Sequence, residues 1–272
     1  MRNKIFALFL LFALLLPGAI NEIHTGAAVE VPIILYHKVS KDRGQLGEFC
    51  IHPEEFEADL LFLKDNGFEA VTMRNLIDFV AGEGDLPEKP VVLSFDDGYF
   101  SDYHYVFPLL LEYDVPIVSA IIGKVTDDYT AEGRGDINYP HLIWPQIQEM
   151  AASGLVEFQN HGYDLHCVKT GMGAKQRRGE SEADYTKRLD RDLNRLQDRA
   201  REMLGEAPTT FAYPFGAKSP SSDTVLKHLG FSASLTSGSR KNRIVLGDEN
   251  CLFNLGRINR SHGGSIEAIL GG

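Results

Sequence analysis

The sequence predicts a single α/β domain built on a parallel sheet, a distorted (β/α) barrel of about seven strands. Short apolar runs alternate with amphipathic helical segments roughly seven or eight times, without an internal repeat or a break in composition. Polar residues follow the apolar runs at His37, Asp96, Asp97, His161 and Tyr213. An open, doubly wound sheet also fits the alternation, but polar side chains gathered at strand ends favour the barrel.

Two helices in the first half of the chain have recognisable ends. The helix predicted at 52–67 carries Pro53 in its first turn. The helix predicted at 72–82 begins at Thr72, which can cap it, and ends at Gly82. Short apolar runs predict strands between these helices and after them, at 31–37, 68–71, 89–95 and 116–122.

The second half contains one long amphipathic helix and two aperiodic segments. The helix predicted at 183–205 repeats apolar residues from Leu189 to Ala200 at helical spacing. The Gly-rich, charged segments 126–141 and 168–180 are expected to form surface loops flanking a cleft. Further helices are predicted at 144–154 and 221–230, and further strands at 155–159, 231–237 and 252–259, with TFAYPFG at 210–216 before the last helix.

The N-terminal segment 1–28 has the layout of a secretory signal. Arg2 and Lys4 precede an unbroken apolar run at 5–16, and a proline and small residues follow. The run is shorter than the roughly 20 residues that a spanning helix needs. We therefore expect the domain at 29–272 to work outside the cytoplasmic membrane, either secreted after cleavage or attached through an uncleaved N-terminal anchor.

Composition excludes several classes of partner. The formal net charge of −11 argues against nucleic acid and against anionic lipid surfaces. With 43% hydrophobic residues, the chain can bury one substantial core, and we expect a monomer. The three cysteines, Cys50, Cys167 and Cys251, allow at most one disulfide and match no zinc-knuckle spacing.

Two adjacent carboxylates end the predicted strand in VVLSFDDGYF, residues 91–100. Like charges so close destabilise each other unless a cation or a proton lies nearby. In EFQNHGYDLH, residues 157–166, His161 and His166 would be about 140° apart on a helix. Only a turn after a strand can direct both rings to one point. Two imidazoles and one carboxylate suit zinc or another divalent first-row metal.

At these residues the chain resembles the polysaccharide deacetylase family, carbohydrate esterase family four. SFDDG matches its first motif, NHGYDLH resembles the histidine motif of poly-N-acetylglucosamine deacetylase-like members, and FAYPFG resembles its third motif. The likeness runs from about Val31 to Ser261. It implies a distorted (β/α) barrel and a divalent metal, zinc first and cobalt, nickel or manganese as alternatives. It also implies removal of acetyl groups, most simply N-acetyl, from an extracellular or cell-envelope polysaccharide such as an N-acetylglucosamine polymer.

The resemblance implies different roles for the two aspartates. Asp96 would be the general base, while Asp97, His161 and His166 would hold the metal. The metal would lower the pKa of a bound water towards about 7. The backbone N–H of Phe215 would help to stabilise the oxyanion.

The remaining roles follow from position along the chain. Family members carry an arginine upstream of the third-motif proline, where this chain has an alanine. Arg257 or Arg260 could orient Asp96 in its place, and we favour Arg257. His262 is the candidate general acid, although Asn259 stands where the family's leucine-x-x-histidine motif has its leucine.

The substrate-binding residues are expected at two strand ends. His37 ends the first strand, and Tyr213, Pro214 and Phe215 belong to the third motif. Each of these aromatic residues could instead serve core packing or local structure. Three histidines without partners in the sequence are expected at the surface: His104, His141 and His228.

Two other functions remain open on the sequence alone. A small-molecule metal amidohydrolase could use the same site, and a narrow closed pocket would favour it. A catalytically silent glycan-binding domain could keep the fold, and the missing third-motif arginine favours that alternative. The intact Asp-Asp-His-His set argues against it, because a pure binding domain needs no free base beside a metal.

Overall fold

The computed structural model describes residues 26–138 and 140–271. Residues 1–25, which make up most of the predicted signal or anchor segment 1–28, lie outside the described residues, so that segment stays a prediction. Over the described ranges, no helix has both the length and the apolar character required to cross a membrane. The thiols of Cys50, Cys167 and Cys251 are all free.

Twelve strands form in the described part of the chain, and seven of them build one curled parallel sheet. The strands are β1 (Ala28–Val31), β2 (Ile33–Tyr36), β3 (Lys38–Val39), β4 (Cys50–Ile51), β5 (Glu69–Ala70), β6 (Pro90–Asp97), β7 (Ile117–Ile121), β8 (Val156–Asn160), β9 (Thr210–Ala212), β10 (Ala233–Leu235), β11 (Asn242–Val245) and β12 (Ile258–Asn259).

Eight α-helices lie between or after the strands within the same described ranges. They are α1 (Pro53–Asp65), α2 (Met73–Ala81), α3 (Phe107–Tyr113), α4 (Gly123–Glu132), α5 (Trp144–Ala152), α6 (Glu182–Leu204), α7 (Ser222–His228) and α8 (Ile266–Leu270).

The order of the sheet confirms the distorted barrel. It runs β10-β9-β8-β7-β6-β2-β12, with every neighbouring pair parallel and β5 added beside β6. A parallel bridge between Leu235 and Leu255 brings the segment before β12 against β10, so the two edges of the sheet meet. All seven strands therefore end at one rim, where side chains from distant parts of the sequence converge.

The helices begin and end largely where the sequence predicts. Thr72 caps α2 in a capping box with Asn75, and Gly82 ends that helix with a φ of 76°. Pro53 occupies the first turn of α1. Ser181 accepts a hydrogen bond from the Asp184 amide and starts α6.

Three helices were not predicted, namely α3, α4 and α8, and for the first two the structure gives a physical reason. Helix α4 falls partly inside the expected loop 126–141, where its contacts are polar. Thr130 Oγ1 accepts the backbone N–H of Trp144 at 3.0 Å, and Asp127 Oδ1 accepts its indole N–H at 2.7 Å. Such contacts leave no apolar periodicity in the sequence. Helix α3 follows a π-helical turn and carries Pro108, a residue that usually breaks helices, in its first turn.

The ends of the sequence form less regular sheet than predicted. The strand expected at 252–259 contracts to β12, preceded by a 3₁₀ turn at 249–252. Strands β1 and β11 pair antiparallel outside the barrel. The segment 168–180 contains neither helix nor strand, as expected for a surface loop.

Aromatic packing joins α1 to the centre of the barrel wall. Phe56 of α1 meets Phe95 edge-on, with ring centroids 5.4 Å apart, and Phe95 stacks on Tyr36 at 4.9 Å. All three rings are buried. Strand β6, which contributes Phe95, is buried along its whole length.

Replacing Phe56 with alanine should therefore lower the free energy of unfolding by about 3–5 kcal/mol, because the change removes a buried ring and leaves a cavity. Urea unfolding followed by circular dichroism measures the change. The control is Leu61→Ala on the same helix, where the side chain is exposed and the expected effect is within about 0.5 kcal/mol. Equal effects of the two substitutions would contradict this account of the core.

Candidate active site

The paired aspartates lie where β6 turns sharply at the rim. Asp97 has a φ of 73° and Gly98 a φ of 63°, so two consecutive residues adopt the left-handed conformation. A Cβ at position 98 would lie 2.8 Å from Cγ2 of Ile121 on β7, which is too close. The glycine after the aspartates is therefore required by both backbone conformation and space.

Asp97, His161 and His166 converge on one point. Asp97 Oδ1 lies 3.4 Å from His161 Nε2 and 3.2 Å from His166 Nε2. The three potential ligand atoms all lie within 4.8 Å of one another. Gly162, with a φ of 85°, makes the turn after β8 that brings both imidazoles to the rim.

The protonation of His161 can be inferred from its other ring nitrogen. Nδ1 lies 2.8 Å from the carbonyl oxygen of Ala212, which can only accept a hydrogen bond. Nδ1 therefore carries the proton in the neutral ring, and Nε2 presents its lone pair to Asp97. This carbonyl–imidazole pair is an arrangement that commonly orients a metal-binding histidine.

The Asp97 carboxyl has the properties of a cation ligand. Its Oδ1 is buried and has no hydrogen-bond partner among the described residues. Burial alone would raise the pKa of Asp97, but the neighbouring His161 and His166 rings outweigh burial and lower that pKa. An ionised oxygen facing two imidazole nitrogens fits a divalent metal, which would satisfy all three atoms.

Asp96 lies apart from this cluster and is held by Arg257. The guanidinium makes a bidentate pair, with Nη1–Oδ1 at 2.6 Å and Nη2–Oδ2 at 2.7 Å. Arg257 also donates to Ser94 Oγ and to the Thr236 carbonyl, both at 3.0 Å. Burial would raise the pKa of Asp96, but the charge and hydrogen bonds of Arg257, together with the neighbouring His161 and His37 rings, outweigh burial and lower the pKa. The carboxylate is therefore ionised and fixed in orientation.

Arg260, the alternative partner considered for Asp96, serves a different carboxylate. Its Nε donates to Asp59 Oδ2 of α1 at 2.9 Å, and Tyr36 Oη donates to the same oxygen at 3.0 Å. Arg260 is itself buried. It attaches the C-terminal segment to α1 and does not contact Asp96.

His262 lies away from the paired aspartates. Its Nδ1 is 2.7 Å from Glu55 Oε2, and it faces a separate cavity between α1 and α8. The expected general-acid position at His262 is therefore not part of the assembled site. The reason is a contact distant in sequence: the turn after β12 is held against α1 by a hydrogen bond from the Gly263 amide to Glu55 Oε1.

The assembled side chains line a cavity of about 510 Å³ at the rim. His37 lies at its wall, partly buried, with its Nδ1 unpaired in the described structure. Three histidine rings thus face this cavity: His37, His161 and His166. The volume lies in the range of small-ligand sites, about 300–1,000 Å³.

The third-motif residues divide between core and cavity. Tyr213 is fully buried, and its hydroxyl donates to Asp223 Oδ1 at 2.8 Å, so most of its ring belongs to the core. Pro214 is also buried. Phe215 has a φ of 59°, is 41% exposed, and places its ring 4.3 Å from the His166 ring. Its N–H has no partner among the described residues.

His141 supports the turn at Asp97, a role that sequence reasoning missed. Its Nδ1 donates to the Asp97 carbonyl at 3.1 Å, and the next residue, Leu142, donates from its amide to the Gly98 carbonyl at 2.9 Å. The expected surface position of His141 was wrong, because its ring is largely covered and stacks on Tyr99 at 5.1 Å. The expectation was correct for the other two histidines of that group, which are exposed: His104 and His228.

Together the fold and the site are those of a (β/α) barrel hydrolase with a ligand set for a cation and a separate ionised carboxylate. The chain belongs to the polysaccharide deacetylase family. The model of that family, described as polysaccharide deacetylase, matches residues 83–234, more than half of the chain. The resemblance noted from the motifs is thereby confirmed.

Curated relatives share about a quarter of their residues with this chain. Poly-beta-1,6-N-acetyl-D-glucosamine N-deacetylase of Escherichia coli K12 is 27% identical over 218 residues, which cover 73% of this chain and 32% of the relative. The protein of the same name from Staphylococcus aureus N315 is 26% identical over 190 residues, covering 68% and 60%. The chain thus spans between a third and three fifths of the length of these relatives.

Solved structures agree with the barrel. A de-N-acetylase from Aggregatibacter actinomycetemcomitans has a TM-score of 0.74 and 25% identity, covering 89% of this chain and 99% of the other. IcaB from Ammonifex degensii has a TM-score of 0.68 and 28% identity, covering 87% and 92%. The Streptococcus pyogenes deacetylase PplD, at 21% identity and a TM-score of 0.71 over 90% and 98%, supports the fold alone.

The Asp96–Arg257 pair should contribute to the stability of the fold. Arg257→Met should lower the free energy of unfolding by about 3–5 kcal/mol, because it leaves a buried carboxylate without its partner. The double variant Asp96→Asn/Arg257→Met should recover part of that loss. Urea unfolding of metal-stripped protein measures both. A double variant no more stable than Arg257→Met would show that the unpaired charge is not the cause.

His141 should affect metal affinity through the Asp97 backbone. His141→Ala removes the hydrogen bond to the Asp97 carbonyl and should weaken metal binding about tenfold, as loss of a group that orients a ligand commonly does. His141→Asn keeps an N–H donor near the Nδ1 position and should restore most of the affinity.

Metal affinity would be measured by competition with a chromophoric chelator. His104→Ala, an exposed histidine in the neighbouring segment, is the matched control and should leave affinity unchanged. An equal loss in His141→Ala and His141→Asn, with native stability in both, would contradict the positioning role.

Proposed function

We propose that this chain removes acetyl groups, N-acetyl groups above all, from an extracellular or cell-envelope polysaccharide that contains N-acetylglucosamine. Family membership supports a deacetylase, and the names of the relatives support this polymer. The single observation that carries the proposal is the separation of the aspartates: Asp97 faces two imidazoles, while Asp96 is held apart by Arg257.

The cofactor we propose is one divalent metal, zinc first, with cobalt, nickel or manganese as alternatives. Asp97, His161 and His166 would hold it, and the unpaired Asp97 Oδ1 supports that assignment. Two imidazoles and one carboxylate are a common zinc set that leaves room for water and substrate. When bound, such a metal acidifies a water molecule and polarises the acetyl carbonyl.

Asp96 serves as the general base in this proposal. Its carboxylate is ionised, and Oδ2 lies 4.0 Å from His161 Nε2, so it borders the cluster without belonging to it. Arg257 binds both oxygens of the Asp96 carboxylate and keeps that carboxylate ionised, so it can accept a proton. A base positioned in this way typically contributes about 10²–10⁴-fold in rate.

Two further residues complete the proposed reaction. The unpaired Phe215 N–H is the candidate donor to the oxyanion of the tetrahedral intermediate. We propose His37 in place of His262 as the donor of a proton to the leaving amine, because His37 lines the cavity with Asp96 and Asp97. Burial lowers the pKa of His37, and the two carboxylates partly oppose that shift.

The contacts of Asp96 and Arg257 also bear on the two alternative functions that the sequence leaves open. A silent glycan-binding domain was favoured by the missing third-motif arginine, but Arg257 occupies the role that arginine would have. A small-molecule amidohydrolase would use the same residues, and a substrate panel separates it from a polymer deacetylase. The extracytoplasmic location rests on the predicted signal or anchor at 1–28.

Activity is tested by stripping the protein of metal, restoring divalent ions one at a time, and measuring acetate release. The substrates are N-acetylglucosamine oligomers, acetylated xylan and N-acetylglucosamine itself. Asp96→Asn should lower kcat by at least about 10²-fold while metal still binds. His161→Ala should lose the metal itself.

The matched control is Asp65→Asn, the same change at an exposed position at the end of α1, which should keep full activity. Full activity in Asp96→Asn would refute the assignment of the base. Turnover of the monosaccharide alone would favour the small-molecule alternative.

A further inference from the structure

A second cavity, of about 610 Å³, lies beside the candidate active site. It is formed by α1 and by the segment from β12 to α8, and its lining includes Glu55, Arg260 and His262. Glu55 and His262 pair across it at 2.7 Å, and both are partly exposed to solvent. No step of the proposed reaction uses these side chains.

One turn forms the wall between the two cavities. Leu46 lines the second cavity, whereas Glu48 and Phe49 line the cavity with the paired aspartates. Strand β12 also lies between the two cavities. Its Asn259 lines the cavity with the paired aspartates, and the next residue, Arg260, lines the second cavity. The two cavities are therefore neighbours that share the segment 46–49 as a ridge.

This ridge is rigidly held through its backbone. The Gly47 carbonyl accepts the His262 amide N–H at 3.0 Å, and the Phe49 carbonyl accepts the Lys38 amide N–H at 3.1 Å. The Glu48 carbonyl accepts Asn259 Nδ2 at 2.7 Å. Three successive carbonyls are thus bound to other segments, so the backbone of the ridge is fixed between the two cavities.

Phe49 lies on this ridge and is 53% exposed. The ring meets His37 edge-on, with centroids 5.0 Å apart, so one edge is packed while much of the surface remains open. Leaving a phenyl ring in water forgoes the free energy of its burial. An aromatic face at the rim of a cavity offers an electron-rich surface that attracts the C–H groups of a sugar ring.

We propose that the glycan strand leaves the reacting sugar, crosses the ridge over Phe49, and occupies the second cavity as an additional sugar-binding subsite. This inference rests on the proposed function and names where its polymer lies. The Glu55–His262 pair offers a carboxylate and an imidazole as partners for hydroxyl and acetamido groups. The subsite selects longer chains, because a short oligomer at the metal ligands cannot reach it.

The test uses the full-length protein and N-acetylglucosamine oligomers from dimer to hexamer. Wild-type kcat/KM should rise with chain length. Phe49→Ala should reduce the hexamer-to-dimer ratio of kcat/KM about tenfold, the loss that removing one well-placed aromatic commonly causes. His262→Ala should reduce the same ratio, chiefly through KM. Leu111→Ala, an equally exposed apolar side chain on α3, is the matched control and should leave the ratio unchanged.

Binding separates this inference from the proposed function. Calorimetric titration of Asp96→Asn with dimer and hexamer should show tighter hexamer binding that Asp96→Asn/Phe49→Ala loses. That result would support the subsite even if no acetate were released, in which case only the proposed function would fail. A wild-type ratio that does not rise with chain length, or an unchanged ratio in both Phe49→Ala and His262→Ala, would overturn the subsite while leaving deacetylation intact.

Discussion

The site depends on the left-handed backbone of Asp97, which sends two adjacent carboxylates to different partners. Neighbouring side chains on a strand already point to opposite faces, and the turn at Asp97 and Gly98 ends the strand at that point. Asp96 thereby reaches Arg257, and Asp97 reaches the two histidines. The repulsion expected between adjacent carboxylates is offset because each lies beside a different positive or potentially positive group.

Much of this arrangement could be predicted from the sequence, because its parts are local. Alternating strands and helices predict the barrel, and motifs that follow strands must meet at one rim. The residues that could not be assigned depend on long-range folding. His141 is 44 residues from the carbonyl that it binds. His262 was assigned by its order along the chain, but a turn attached to Glu55 of α1 directs it to another cavity.

Polar contacts between segments distant in sequence also explain the main error in the predicted secondary structure. Helix α4 is held by Asp127 and Thr130, whose bonds to Trp144 leave no apolar stripe for a periodicity argument to detect. The position of α4 matters for the site because α4 binds Trp144, the first residue of α5. His141 and Leu142 lie directly before that helix. The segment that supports Asp97 is therefore anchored by contacts that look, in sequence, like those of a solvated loop.

The position of the guanidinium in space matters more than its position in the sequence. In this chain the third-motif strand has Ala212 where the family resemblance led us to expect an arginine, and the Ala212 carbonyl orients His161. Arg257 comes from the segment before β12, which reaches the rim because β12 pairs with β2 and β2 pairs with β6. Because the two edges of the curled sheet meet at the Leu235–Leu255 bridge, a side chain can approach Asp96 from either direction around the rim. The absence of one motif residue is thus weak evidence against catalysis when another strand supplies the same bidentate contact.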